Sequence, residues 1–184
     1  WKRLENTIRH SNESLQGVFN LYLYYLISDN PKRSLQDELK IQFKNGNPQQ
    51  IILDIEKFAE NLIEIQTNKQ DKYTSMLKYL SQSIYWKSIL ASAKHTEYQH
   101  FDKLKVLITK YYYQSWIAGG TSNRIKQTSF NILKKVKAKA DIFEIEQLIK
   151  NNLSKYENYR EFLSTDSAYW NKWLKPVLLS VEYF

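Results

Sequence analysis

Four glycines and three prolines are all that punctuate 184 residues. A many-stranded sandwich or an alternating βαβ chain needs turn residues roughly every 8–12 positions, so this scarcity points to long helices. The chain is 42% hydrophobic and 15% aromatic, too apolar for disorder and sufficient for a sizeable core. The expected fold is all-α: one domain over residues 1–184, an irregular bundle of about eight or nine helices.

Apolar periodicity places those helices. One runs from Trp1 to about His10, and the next from Ser14 to Ile27, ended by Asp29, Asn30 and Pro31. Ser34 caps a short helix with Asp37 at its third position, and Asn45, Gly46 and Asn47 stop it before Pro48 opens another in the favoured first-turn slot. There Ile51, Ile55, Phe58, Leu62 and Ile65 form one apolar stripe, with Glu56, Glu60 and Glu64 along a flank expected to be solvated. Asp71 caps a segment carrying Tyr73, Met76, Leu77 and Leu80, a related one continues through Ile84, Trp86, Ile89 and Leu90, and Ser92 to Gln99 reads as a connection. From His100 to Ala118 apolar residues occupy every side, which places this aromatic helix at the centre of the bundle. Gly119 and Gly120 end it. Thr121 or Ser122 then caps a helix to Lys139, and Asp141 with Glu144 makes a capping box for one to about Leu153. Asp166 or a neighbour starts a last helix that Pro176 must kink or split.

No cysteine is present, which removes disulfides, thiolate zinc sites and cysteine nucleophiles and fits a reducing, cytoplasmic setting. The longest apolar stretch, Val18 to Ile27, is broken by Asn20 and falls short of the ~20 residues a spanning helix needs, so no membrane partner is expected. His10, His95 and His100 lack the i, i+4 spacing of a helical metal pair. No metalloprotease signature, phosphate loop, dinucleotide fingerprint or nucleophile elbow occurs. The expectation is a chain that is not itself an enzyme and holds neither metal nor cofactor. It opens at Trp1 with no initiator methionine and reads as a piece excised from a longer polypeptide.

Charge carries the functional signal. The formal charge is +8, and residues 101–140 hold nine cations (Lys103, Lys105, Lys110, Arg124, Lys126, Lys134, Lys135, Lys137 and Lys139) against one anion, Asp102. The rest of the chain is balanced, so all the excess lies in one helical hairpin. On a helical wheel Ile125, Ile132, Leu133 and Val136 cluster on one side, while Arg124, Lys135 and Lys139 share the opposite side with Lys134 nearby. Such a face can neutralise phosphates, and Arg124, Lys126, Lys134, Lys135, Lys137 and Lys139 are the candidate nucleic-acid contacts. Lysine outnumbers arginine 22 to 5, which favours backbone contact over base readout. Phe130, outside the main stripe, and Tyr111, Tyr112, Tyr113 and Trp116, spread around their helix, read better as packing than as a stacking platform.

The run "LKVLITKYYYQSWIAGGTSNRIKQTSFNILKKV", residues 104–136, resembles the helical region of the GmrSD-type modification-dependent restriction endonucleases. In that family a helix ending in aromatics and Arg or Lys precedes a small-residue turn, a Thr-Asn or Ser-Asn pair (here Ser122 and Asn123) and another amphipathic helix. "FNLYLYYL" and "IILDIEKFAENLIEI" upstream look like its earlier helices, and "YWNKWLKPVLLSVEY" like the helix preceding its nuclease domain. The resemblance implies a middle module joining a nucleotide-hydrolysing domain to an HNH nuclease in DNA restriction and phage defence. The family's Asp-Gly-Gln-Gln-Arg and His-Ile-x-Pro motifs are both absent, so no catalytic residue carries over. DNA and the neighbouring domains are the implied partners. The alternative is a protein-interaction scaffold, with Trp1, Trp170, Trp173 and Phe184 as aromatic contacts to other domains.

Overall fold

Short polar side chains set where most helices begin. In the computed structural model, which describes residues 2–9, 13–80, 83–118, 121–154, 170–172 and 174–182, the Ser14 hydroxyl accepts the Gly17 N–H at 3.0 Å and opens α2. Ser34 accepts from Asp37 to open α3, Asn47 from Gln49 and Gln50 to open α4, Asp71 from Thr74 to open α5, and Asp141 from Phe143 to open α9. Each such cap is worth about 1 kcal/mol. Ten helices result among the described residues, and no strand: α1 (Lys2–Arg9), α2 (Leu15–Ile27), α3 (Leu35–Phe43), α4 (Pro48–Thr67), α5 (Lys72–Leu77), α6 (Ser83–His95), α7 (Phe101–Ile117), α8 (Ser122–Lys137), α9 (Ile142–Leu153) and α10 (Leu174–Glu182). The all-α expectation holds. No helix among the described residues is long and apolar enough to cross a membrane.

The ends differ more from expectation than the beginnings. Ser92 to Gln99 is not all connection: α6 continues to His95, with Ser92, Ala93 and His95 buried. Glu97 then takes a left-handed φ of 54° and the Tyr98 N–H bonds the Ala93 carbonyl at 2.8 Å, closing the helix as a glycine often does. Lys139 does the same for α8, with φ 51° and the Ala140 N–H on the Lys135 carbonyl at 3.0 Å. The helix expected to reach Lys139 therefore stops at Lys137. Pro176 neither kinks nor splits α10; it sits in the first turn, where a missing N–H costs nothing. Asp166, the expected start of that last helix, lies outside the described residues.

The two larger apolar cores both draw on α6, and Ile65 of α4 reaches the second as well. Leu4 and Ile8 of α1, Val18, Leu21 and Tyr22 of α2, and Ile55, Phe58 and Leu62 of α4 close around Ala91 of α6. Trp86, Ile89 and Leu90, from other faces of α6, pack with Leu104, Ile108 and Tyr111 to Tyr113 of α7, Ile125, Ile132, Leu133 and Val136 of α8, and Ile145 and Ile149 of α9. The aromatic helix α7 is buried as its composition implies, yet the hub is α6, which packs against α2, α4, α7 and α8. Four of its buried residues are small, Ser88, Ala91, Ser92 and Ala93, and small side chains are what let several helices approach one axis.

Of the Glu56, Glu60 and Glu64 row, Glu60 and Glu64 are exposed as expected, but Glu56 is not on a solvated flank. Glu56 is only 8% exposed; its carboxylate and that of Glu60 meet Arg3 of α1 at 3.8 and 3.2 Å, and Glu64 pairs with Lys94 of α6. The row is a seam of ion pairs joining α4 to its neighbours. Phe130 is buried with its ring edge-on to Tyr24 at 5.2 Å and to Tyr85 at 6.0 Å. The hydroxyls of Tyr111, Tyr112 and Tyr113 bond Asn152, Ser129 and the Met76 carbonyl, so the aromatic run is core with satisfied tips.

If α6 is the hub, Ala91→Leu should overpack the crossing with α2 and α4 and lower unfolding free energy by about 1–3 kcal/mol in urea denaturation. Leu107→Met, a volume-conserving change at the half-buried edge of α7, should cost less than about 1.5 kcal/mol.

Candidate functional site

α8 presents its apolar stripe inward and its cations outward, but not all of them. Lys134 is exposed, its Nζ 3.4 Å from Asp29 just beyond α2, and Lys135 lies 2.7 Å from Glu144 in the first turn of α9. Lys139 is exposed, one residue past the helix cap. Arg124 and Lys126 are half-buried in the N-terminal part of the helix, about 15 and about 12 Å along the axis from Lys134. Lys137 departs from the expected outer face. Its ammonium donates to the Leu26 carbonyl at 2.7 Å and lies 5.2 Å from the centroid of the Tyr25 ring, and burial pulls its pKa below the usual lysine value. It caps the C-terminal turn of α2, where a cation meets unpaired carbonyls and the negative end of the helix dipole.

Of the aromatic contacts expected for a scaffold, Trp170 is 91% exposed. Trp1, Trp173 and Phe184 lie outside the described residues.

Three part-buried polar clusters carry no signal in the sequence pattern. In the first, the Tyr22 hydroxyl donates to Asp54 Oδ2 at 2.5 Å, and His95 Nε2 lies 3.0 Å from Asp54 Oδ1. Because a carboxylate only accepts, Nε2 carries the proton. The ring is boxed edge-on by Tyr25 at 5.0 Å and Phe58 at 5.6 Å, and its Nδ1 has no hydrogen-bond partner. Burial lowers the His95 pKa, Asp54 opposes that fall, and Lys57 adds to it. Burial, reinforced by the bond to Asp54, raises that of Tyr22. A histidine–carboxylate pair is half of an acid–base relay, but no hydroxyl is bonded to Nδ1. The trio joins α2, α4 and α6 through the Asp54 carboxylate.

The second cluster centres on Glu13, which accepts from Lys87 of α6 and from Gln66 of α4 at 2.8 Å. Gly17 makes room for it: a Cβ there would stand 2.9 Å from a Glu13 carboxylate oxygen. A third buried pair, Lys105 with Asp71, fastens α7 to the cap of α5. Burial alone would raise the Asp71 pKa, but the Lys105 ammonium and the Thr74 N–H bind the carboxylate and hold it below the ordinary value. Asp71 can be read from the sequence as a cap; its second role cannot. Among the described residues no group of three or more histidines and carboxylates is placed to hold a metal ion.

Two measurements separate structural from surface cations and test the histidine. Lys137→Met should lower unfolding free energy by about 1–2 kcal/mol, because the Leu26 carbonyl loses its donor, whereas Lys139→Met should change it by less than about 0.5 kcal/mol. His95 has a folded pKa below its unfolded value near 6.5, so its neutral form is the stabilising one. That stability is present above about pH 6.5 and is lost as pH falls through the folded pKa. Between about pH 7.5 and 5.5 the wild type should lose more stability than His95→Gln; equal losses would contradict the assignment.

No protein-family model, curated protein or solved structure matches the chain.

Proposed function

We propose that the chain is a non-catalytic helical module of a larger DNA-targeting protein, and that the outer side of α8 rests on the duplex backbone. The observation that carries this reading is the charge of α8: residues 121–140 hold six cations and no acid, on a helix whose opposite side is packed into the core. Arg124, Lys126, Lys134, Lys135 and Lys139 form the contact set. Lys137 leaves it, because its ammonium is held against α2. Lys103 and Lys110 of α7 are exposed as well. The likeness of residues 104–136 to GmrSD-type restriction endonucleases supplies the context: a cytoplasmic defence protein in which this module links a nucleotide-hydrolysing domain to an HNH nuclease. No catalytic residue and no cofactor are assigned to it.

A scaffold without nucleic-acid contact is the second reading, favoured by Trp170 at 91% exposure and Leu178 at 57%, since large apolar surface on a chain terminus suits a neighbouring domain. Fluorescence anisotropy with a labelled duplex, from about 50 to 200 mM salt, separates the two. The first reading expects affinity to fall steeply with salt, and expects Lys134→Glu, Lys135→Glu and Lys139→Glu together to abolish binding with helicity retained. Unchanged affinity in that triple variant contradicts the assigned surface. The second expects no binding, and self-association relieved by polar replacements at Trp1, Trp170, Trp173 and Phe184.

A further inference from the structure

Two lysines of α8, the exposed Lys134 and the half-buried Lys135, each meet an acid from another part of the chain. Lys134 meets Asp29, at the C-terminal end of α2, at 3.4 Å, and Lys135 meets Glu144, in the first turn of α9, at 2.7 Å. Glu144 occupies the position from which a capping box would reach back to Asp141, yet its carboxylate turns to α8 and Asp141 caps α9 alone. Asp29 gives one oxygen to the Asn30 N–H and its other to Lys134. Both pairs are open to solvent, with the four side chains between 32% and 58% exposed, and pairs this exposed are weakly held.

Resting on the reading of α8 as a backbone-binding ridge, we propose that Asp29 and Glu144 are built-in competitors that occupy Lys134 and Lys135 until a polyanion displaces them. A duplex offers one negative charge about every 1.7 Å of its axis and can replace both carboxylates at once, whereas an isolated phosphate replaces one and leaves the other in place. The acids thus set a threshold that favours long polyanions over small anions. After displacement, each carboxylate is left beside a phosphate, which is the cost that the threshold consists of.

The test is a cycle of four full-length proteins on a short fluorescein-labelled duplex at about 50 mM salt, each checked for wild-type helicity: wild type, Asp29→Asn with Glu144→Gln, Lys134→Gln with Lys135→Gln, and all four changes together. Removing the acids should tighten binding roughly tenfold when both lysines are present, and by less than about twofold when they are absent. Inorganic phosphate should compete better against the acid-free variant than against the wild type. An equal gain in both lysine backgrounds would reduce the effect to bulk charge and overturn this proposal while leaving duplex binding by α8 intact. No gain at all with a binding wild type would overturn it likewise. Absence of binding by all four proteins would overturn both this proposal and the reading beneath it.

Discussion

The close approach of helices to α6 is the constraint on which the rest of the structure depends. Ser88, Ala91, Ser92 and Ala93 are all buried and carry almost no bulk, so α2, α4 and α8 can crowd one axis while Trp86, Ile89 and Leu90 fill the space toward α7 and α8. One helix thereby belongs to two apolar cores, and the N-terminal and C-terminal halves of the chain are held by the same element. Interiors pack at near-crystalline density, so a position where a methyl group suffices for one neighbour leaves little slack for any other.

Polar groups follow the same plan. His95 reaches Asp54 of α4, which also holds Tyr22 of α2, Lys87 reaches Glu13 just ahead of α2, and Lys94 reaches Glu64 of α4; each ties α6 to a part of the chain it already packs against. Partly buried pairs are weak sources of net stability, but they fix which neighbour sits where. The cationic surplus lies in residues 101–140, and the acids that meet Lys134 and Lys135 are themselves exposed. The cationic side of α8 is backed by the buried Phe130, Ile132, Leu133 and Val136, which fix the helix against the core.

Beginnings of helices were legible because Ser34, Asp71 and Asp141 announce themselves as caps and Pro48 as a first-turn residue. Two endings were not, because Glu97 and Lys139 adopt left-handed backbone that a sequence normally reserves for glycine. The hub was misplaced for a related reason: bulk draws the eye to Tyr111, Tyr112, Tyr113 and Trp116, whereas centrality here rests on small residues that carry no apolar periodicity. Glu56 could not be distinguished from a surface acid without knowing that Arg3 lies across from it. Of the candidate surface, the helix and its orientation were readable from the wheel. The capture of Lys137 by the end of α2 was not, since 111 residues separate it from Leu26.

The claim that α6 organises the fold is most directly tested by native-state hydrogen exchange resolved to single amides. The account expects the amides of Leu90 to Ala93 to exchange only through global unfolding, with the slowest rates in the chain, while those of α3, whose residues are mostly exposed, open locally at much lower cost. Slower exchange in the centre of α7 than in α6 would contradict it and return the hub to the aromatic helix.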